Sequence, residues 1–141
     1  MTVVILMGSI FAVKAQDVIK KMAEGKKGVA SYYHSKFDGR KTATGETFKS
    51  TNYTAASNNL KLGTFIKVTN LSNGKVVYVK VNDRMSPGNK RVVDLTSSAA
   101  EMLHFKSQGT TQVVVEVVSE VEGKNAILAQ REVDGVNGHT L

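Results

Sequence analysis

Two stretches in the middle of the chain are rich in β-branched residues and are separated by a turn signal. Valine recurs at every second position of KVVYVKVN (75–82), and TFIKVTN (64–70) has a similar composition. A period of two places alternate side chains on one face of a strand. Asn73 and Gly74 lie between the stretches, and such a pair accepts the positive φ angles of a tight turn. We therefore predict a β-hairpin here.

The rest of the central region has the pattern of a small β-protein with little helix. A short helix is predicted over Thr96–Leu103, because Ser98 and Glu101 have the spacing of a capping box. Several short strands and one helix favour a mainly β fold, a closed or nearly closed barrel. The other predicted strands are Gly28–Tyr33, Arg91–Leu95 and Gln112–Val118.

The two ends of the chain differ from this pattern. An apolar run (3–13) is too short to span a bilayer and is followed by Val13-Lys14-Ala15, which is typical of a signal peptide cleaved after Ala15. A buried strand or helix is the alternative for this run. The remaining expected segments are a polar linker over 16–27, one folded domain over 28–119 and a C-terminal tail over 120–141 without clear periodicity.

Composition narrows the possible partners. The formal net charge is +7, so polyanions are attracted by Coulomb forces. In an exported protein these are wall polymers or lipid head groups, and nucleic acid is not expected. The chain has no cysteine, which excludes disulfides, a cysteine nucleophile and an acylated N-terminal cysteine. We expect a periplasmic or secreted monomer without a stable membrane anchor.

Few residues in the sequence are candidates for catalysis or for binding a metal or cofactor. The three histidines are scattered without metal-ligand spacing, and neither a phosphate-binding loop nor a G-x-S-x-G elbow occurs, so no metal or cofactor is expected. The carboxylates of Glu46 and Asp83 remain, the first in a turn-like segment and the second where the predicted strand 75–82 ends. Catalytic groups are often placed at such strand ends. Alternatively, Asp83 caps a turn and pairs with Arg84, and Glu46 is a solvated surface charge.

A series of blocks over residues 28–118 resembles the catalytic domain of the rare lipoprotein A family of peptidoglycan lytic transglycosylases. About two thirds of the chain is covered, with every block in the family's order. The main blocks are Gly28-Val29-Ala30-Ser31-Tyr32-Tyr33, Phe37 to Phe48 (FDGRKTATGETF), Thr54-Ala55-Ala56, Val68-Thr69-Asn70-Leu71, Val81-Asn82-Asp83-Arg84 and Val93-Asp94-Leu95-Thr96.

The resemblance implies a six-stranded double-psi β-barrel with one or two short helices. It also implies endolytic cleavage of the β-1,4 bond between N-acetylmuramic acid and N-acetylglucosamine, in glycan strands stripped of stem peptides, to give 1,6-anhydromuramyl ends. Asp83 would act first as acid and then as base, with Glu46 as a second catalytic group. The residues expected to bind the glycan are Ser57, Tyr32, Tyr33, Asn82 and Arg84.

One position departs from the family pattern. Characteristic members carry a histidine directly after Thr-Ala-Ala, where this chain has Ser57. A serine can hydrogen-bond a sugar but does not titrate near neutral pH. A non-catalytic glycan-binding or expansin-like wall-loosening module therefore stays open as an alternative function. A third possibility is an interaction protein that contacts anionic wall polymers through its basic surface.

Overall fold

The computed structural model of the protein describes residues 16–17 and 24–139, and the signal-peptide prediction for residues 1–15 lies outside them. A 3-10 turn over Ser35–Phe37 follows the first strand. The regular elements are β1 (Lys26–Tyr32), β2 (Thr54–Ala56), β3 (Phe65–Asn70), β4 (Val76–Asp83), β5 (Val93–Leu95), α1 (Ser97–Met102), β6 (Thr111–Val118) and α2 (Glu120–His139).

The six strands form one closed barrel, which confirms the predicted fold class. Their order around the barrel is β1, β5, β2, β4, β3 and β6, and β6 pairs again with β1. The pairs β1–β5 and β2–β4 are parallel, and the other four are antiparallel. Closure leaves no free sheet edge along the paired segments. No helix in the described part of the chain is both long and apolar enough to cross a membrane.

The predicted hairpin is β3 and β4, and its alternating valines face the barrel interior. Val77, Val79 and Val81 are fully buried. The connecting loop has four residues rather than two, since the Asn70 N–H donates to the Lys75 carbonyl at 2.8 Å. Only Gly74 has a positive φ in this loop, at 75°. Glycine adopts that conformation without the steric penalty of a side chain.

Helix α1 packs against β1 and β4. Asn70, 1% exposed, donates its amide to the Leu103 carbonyl at 2.8 Å, just beyond the helix. The predicted helix is confirmed, but the predicted capping box is wrong. Thr96 is the N-cap residue and makes no side-chain capping bond, and Ser98 lies inside the helix. Glu101 instead pairs with Lys106 at 2.8 Å.

Regular secondary structure continues beyond residues 28–119 at both ends. Lys26 and Lys27, expected in the linker, belong to β1 because they pair with Val115 and Val114 of β6. At the other end, the region expected to be a tail without periodicity contains the 20-residue helix α2. The side of α2 that faces the barrel is formed by glycine, alanine, isoleucine and glutamine, so it lacks a strong apolar period.

Helix α2 packs on the outer face of β3 and β4. Gly123 lies against the Phe65 side chain, and Ile127 is buried in the same contact. Gln130 makes two hydrogen bonds to the Tyr78 backbone of β4, accepting from its N–H at 2.7 Å and donating to its carbonyl at 2.9 Å. Because β2 pairs with β4 only from Lys80 onward, Tyr78 has no strand partner on that side. The glutamine side chain supplies the missing partner.

A glycine pair in α2 tests this packing. A Cβ at Gly123 would lie 2.4 Å from the Phe65 Cβ, whereas a Cβ at Gly135 meets nothing within 4 Å. We expect Gly123→Ala to lower the free energy of unfolding by about 1–3 kcal/mol through overpacking. The control Gly135→Ala should raise it by up to about 1 kcal/mol, since alanine favours a helix. Denaturant unfolding of both variants measures this, and equal effects of the two would contradict the packing.

Candidate active site

A β-bulge places Asp83 at the end of β4. The parallel pairing of β2 with β4 matches Ala55 to Val81 and then Ala56 to Asp83, so Asn82 is an extra residue on β4. Val81 and Asn82 are both buried, which breaks the alternation of the strand, and Asp83 is partly exposed. Bulges are common beside active sites because they redirect a side chain. Here the bulge directs Asp83 to a groove at the barrel end.

Three hydrogen bonds fix the Asp83 carboxylate. Its Oδ1 accepts from the Ala43 N–H at 3.0 Å and from the Arg84 N–H at 2.9 Å. Its Oδ2 accepts from the Tyr33 hydroxyl at 3.0 Å. Two of the donors are backbone groups, so the carboxylate has little freedom to rotate. In the alternative sequence interpretation, Asp83 caps a turn and pairs with Arg84. In the structure Asp83 accepts from the Arg84 N–H, whereas the Arg84 guanidinium donates to the carbonyls of Ser57 and Leu60.

A small hairpin over residues 41–47 carries the Ala43 N–H. Lys41 and Thr47 form an isolated antiparallel bridge at its base. At its tip the Gly45 N–H donates to the Thr42 carbonyl at 2.9 Å, with a φ of 86° at Gly45. The hairpin is attached to the bulge by a hydrogen bond of 3.2 Å from the Thr44 N–H to the Asn82 carbonyl. The position of this hairpin therefore determines how Asp83 is held.

Aromatic rings form one wall of the groove. Tyr33 stacks on Phe48 with centroids 4.7 Å apart, and meets the edge of Phe37 at 5.9 Å. Burial of the ring and the charge of Asp83 raise the pKa of the Tyr33 hydroxyl above its ordinary value. Tyr33 therefore remains a neutral donor to Asp83 across the physiological pH range. Flat aromatic and apolar surface beside polar groups is suited to a sugar ring.

The groove encloses about 530 Å³. It is rich in charge, with four cationic side chains and two carboxylates among its lining residues. These lining residues are Tyr32, Tyr33, His34, Phe37, Arg40, Lys41, Phe48, Asp83, Arg84, Met85, Ser86, Arg91 and Asp94. Such a volume accommodates a ligand of a few sugar-sized units rather than a macromolecular surface.

The second carboxylate of the groove is Asp94, which the sequence analysis did not select. Its carboxylate accepts hydrogen bonds from the Ser31 hydroxyl and from Arg91 Nε, the latter at 3.0 Å. Ala56 is the register partner of Asp83 on one side and of Asp94 on the other. Two strand spacings therefore separate their Cα atoms, about 10 Å. The family-like block 93–96 contained Asp94, but a residue inside a strand gave no separate signal of function.

Four of the seven predicted site residues meet in this groove, namely Tyr32, Tyr33, Asp83 and Arg84. The Tyr32 hydroxyl donates to the Lys106 carbonyl at 2.8 Å. The Arg84 guanidinium donates to the carbonyls of Ser57 and Leu60, so it supports the turn after β2.

The other three predicted residues do not line the groove. Asn82 is 3% exposed, and its backbone carbonyl holds the hairpin. Ser57 is fully buried, and its hydroxyl accepts from the Asn59 N–H at 3.2 Å. The exposed Glu46 side chain accepts from the Thr44 hydroxyl at 2.8 Å and lies 3.8 Å from Lys80. The structure does not test their predicted roles, but it separates all three side chains from the groove that contains Asp83.

Glu46 lines a separate cavity of about 360 Å³ between the barrel and α2. The hydrogen bonds that connect Glu46 to the groove run through the hairpin 41–47, from Thr44 to Asn82 and from Ala43 to Asp83. Within the described residues, no group of three or more histidine, aspartate or glutamate side chains could hold a metal ion.

Comparison with protein families and curated proteins identifies relatives over the barrel. A family model described as lytic transglycolase matches residues 25–115. The endolytic peptidoglycan transglycosylase RlpA of Haemophilus influenzae is 43% identical over 100 residues, which cover 71% of this chain and 35% of that protein. The Pseudomonas aeruginosa protein of the same name is 45% identical over 95 residues, 67% of this chain and 28% of that protein. The chain thus spans less than half the length of these relatives.

Comparison with solved structures supports the fold. A Streptomyces papain inhibitor aligns with a TM-score of 0.55 and 22% identity, over 67% of this chain and 96% of its own. An expansin of Clavibacter michiganensis aligns with a TM-score of 0.54 and 21% identity, over 67% of this chain and 50% of its own. These proteins share the barrel architecture, and at such identities the likeness concerns the fold alone.

The Tyr33 hydroxyl gives a prediction for alkaline pH. An unfolded chain ionises tyrosine near pH 10, whereas the folded protein keeps Tyr33 neutral because its pKa is raised. The stabilising contribution is complete below about pH 10 and is lost as the pH rises further. We expect the free energy of unfolding of Tyr33→Phe to fall less above pH 10 than that of the unchanged protein, in measurements between pH 8 and 11.

The control for lost packing is Phe48→Leu, which removes the stacked ring but leaves the hydroxyl in place. This variant should be less stable at every pH and keep the dependence above pH 10. If Tyr33→Phe and the unchanged protein lose stability equally between pH 10 and 11, the hydroxyl is not held as described.

Proposed function

The chain belongs to the lytic transglycolase family, and from this membership we propose that it is an endolytic peptidoglycan transglycosylase. In this proposal it cleaves the β-1,4 bond between N-acetylmuramic acid and N-acetylglucosamine and leaves 1,6-anhydromuramyl ends. The observation that carries the proposal is a carboxylate, Asp83, held by three donors in a groove with an aromatic wall. Four cationic lining residues favour a polyanionic ligand.

The proposed reaction needs one group that acts as acid and then as base. Asp83, in its protonated form, gives its proton to the glycosidic oxygen as the bond from that oxygen to the muramyl C1 breaks. The muramyl C6 hydroxyl then attacks C1, and its proton passes to Asp83. One C–O bond breaks and another forms, the proton returns to Asp83, and no water is consumed.

The hydrogen bonds of Asp83 indicate which oxygen carries the proton. Oδ1 accepts from two backbone N–H groups, which have no other orientation available to them. Oδ2 accepts only from the Tyr33 hydroxyl and has a second lone pair. We assign the transferred proton to Oδ2. Asp94 is the other carboxylate lining the groove, and its pairing with Arg91 partly offsets the negative charge that it could offer to the sugar ring.

Glu46 enters the proposal as a positioning residue. It accepts from the Thr44 hydroxyl, and the Thr44 backbone holds the bulge at Asn82. The next residue back, Ala43, donates to Asp83. A change at Glu46 would thus reach Asp83 through the hairpin 41–47.

The proposed site of action is the periplasm or the cell exterior, where peptidoglycan lies. This rests on the apolar run 3–13 and the small-residue motif that follows it. We also propose that the protein acts as a monomer.

Asp83→Asn tests the proposed chemistry. The amide cannot exchange a proton with the glycosidic oxygen, so we expect 1,6-anhydromuramyl ends to fall by at least about 100-fold. Glycan binding should be retained, because the side chain keeps its shape. Mass spectrometry of digests of peptide-stripped glycan measures the ends, and a pull-down with insoluble peptidoglycan measures binding. Binding without products from the unchanged protein would instead establish the non-catalytic module.

Glu46→Gln distinguishes the two predicted carboxylates. Because Glu46 acts through the hairpin, we expect kcat to fall by about tenfold or less, with KM little changed. Glu46→Asp, which shortens the side chain but keeps its charge, should recover part of this loss. A loss as large as that of Asp83→Asn would place Glu46 in the chemistry itself.

A further inference from the structure

Arg40 differs from the other arginines of the groove in having no partner for its charge. The Arg84 guanidinium donates to two backbone carbonyls, and Arg91 pairs with Asp94. Lys41, the fourth cation, donates to the Thr47 hydroxyl at 3.2 Å. Among the described residues, neither a carboxylate nor a carbonyl accepts a hydrogen bond from the Arg40 side chain.

Arg40 is nevertheless held in place. Its N–H donates to the Phe37 carbonyl at 3.1 Å, and its carbonyl accepts from the Phe48 N–H at 2.7 Å. Its guanidinium carbon lies 5.2 Å from the centroid of the Phe37 ring. A cation over an aromatic face is attracted by the ring, and the contact restricts the side chain before any ligand binds. The groove therefore presents a partly oriented, exposed guanidinium.

The proposed substrate contains one group that matches this guanidinium. A strand of alternating N-acetylglucosamine and N-acetylmuramic acid is neutral apart from the lactyl group of the muramic acid. That lactyl group is a free carboxylate when no peptide is attached, and a neutral amide when a stem peptide is present. An arginine can bind a carboxylate with two parallel hydrogen bonds, which an amide cannot accept in the same way.

We propose that Arg40 binds the free lactyl carboxylate of a muramyl residue and is thereby the residue that selects peptide-stripped strands. This inference rests on the proposed function and adds to it the residue that recognises the negative charge of the substrate. Lys41 is less suited to this role, because an ammonium cannot form the paired geometry and this one is already engaged by Thr47.

The test compares two substrates that differ only in the charge of the lactyl group. One is peptide-stripped glycan, and the other is the same glycan with its lactyl carboxylates converted to methylamides. For the unchanged protein we expect kcat/KM to be about tenfold higher on the carboxylate form. Arg40→Gln should lose this preference, because its KM rises more on the carboxylate form than on the methylamide.

Lys36→Gln is the matched control. Lys36 is also exposed and also lies over the Phe37 ring, with its Nζ at 5.4 Å, but it does not line the groove. This variant removes one positive charge beside the same aromatic ring and should keep the full preference. Arg40→Lys should keep part of it, because charge remains while the paired geometry is lost.

The outcomes separate this inference from the proposed function. An Arg40→Gln variant that keeps the preference, or a Lys36→Gln variant that loses it equally, would overturn the role of Arg40. If the unchanged protein forms no anhydro ends on either substrate, the proposed reaction fails. Equilibrium binding of the two glycans to the unchanged protein and to Arg40→Gln then tests the inference by itself. A lower Kd for the carboxylate glycan in the unchanged protein, but equal Kd values in Arg40→Gln, supports it, and the same Kd ratio in both proteins overturns it.

Discussion

The position of both groove carboxylates depends on the pairing of one strand of three residues. β2 pairs in parallel with β4 and antiparallel with β5, and Ala56 is the register partner of Asp83 on one side and of Asp94 on the other. A shift of one residue in a strand would turn its side chains to the opposite face. The closed sheet prevents such a shift, because each strand is fixed by two neighbours. The distance across the groove is therefore a property of the barrel and not of its loops.

Loops complete the site only where backbone groups attach them to that barrel. The hairpin 41–47 is bound to the bulge in β4, and from there it offers the Ala43 N–H to Asp83. The aromatic wall is attached differently, through the stacking of Tyr33, which follows β1, on Phe48. Asp83 thus receives donors from two separate parts of the chain. Neither part alone would hold the carboxylate in one orientation, which a proton transfer requires.

The sequence predicted those parts of the molecule whose signals are local. The alternating valines of 75–82 and the Asn73-Gly74 turn indicated the hairpin, and Asp83 at its end, selected as a catalytic candidate, lines the groove. Asp94 was not selected because its position in the groove comes from the register of β5 with β2, and a register is not visible in a single sequence. Ser57 was selected for glycan binding and Glu46 for catalysis; the Ser57 side chain is buried, although its N–H donates to the Asp83 carbonyl, and Glu46 lines a different cavity. Strand β2 itself has too few residues and too much alanine to show a period.

Helix α2 was not predicted either, because its barrel-facing side has no strong apolar period. One residue of this helix, Gln130, completes the hydrogen bonding of β4. The Tyr78 peptide group, left open by the short β2, could otherwise pair with an extended segment of another molecule. The glutamine amide has the same donor and acceptor as a peptide unit and occupies this position from within the chain. The helix lies beyond the segment that matches the family, residues 25–115. A side chain from outside that segment thus satisfies an open backbone position of β4 without lengthening β2, the strand that sets the groove.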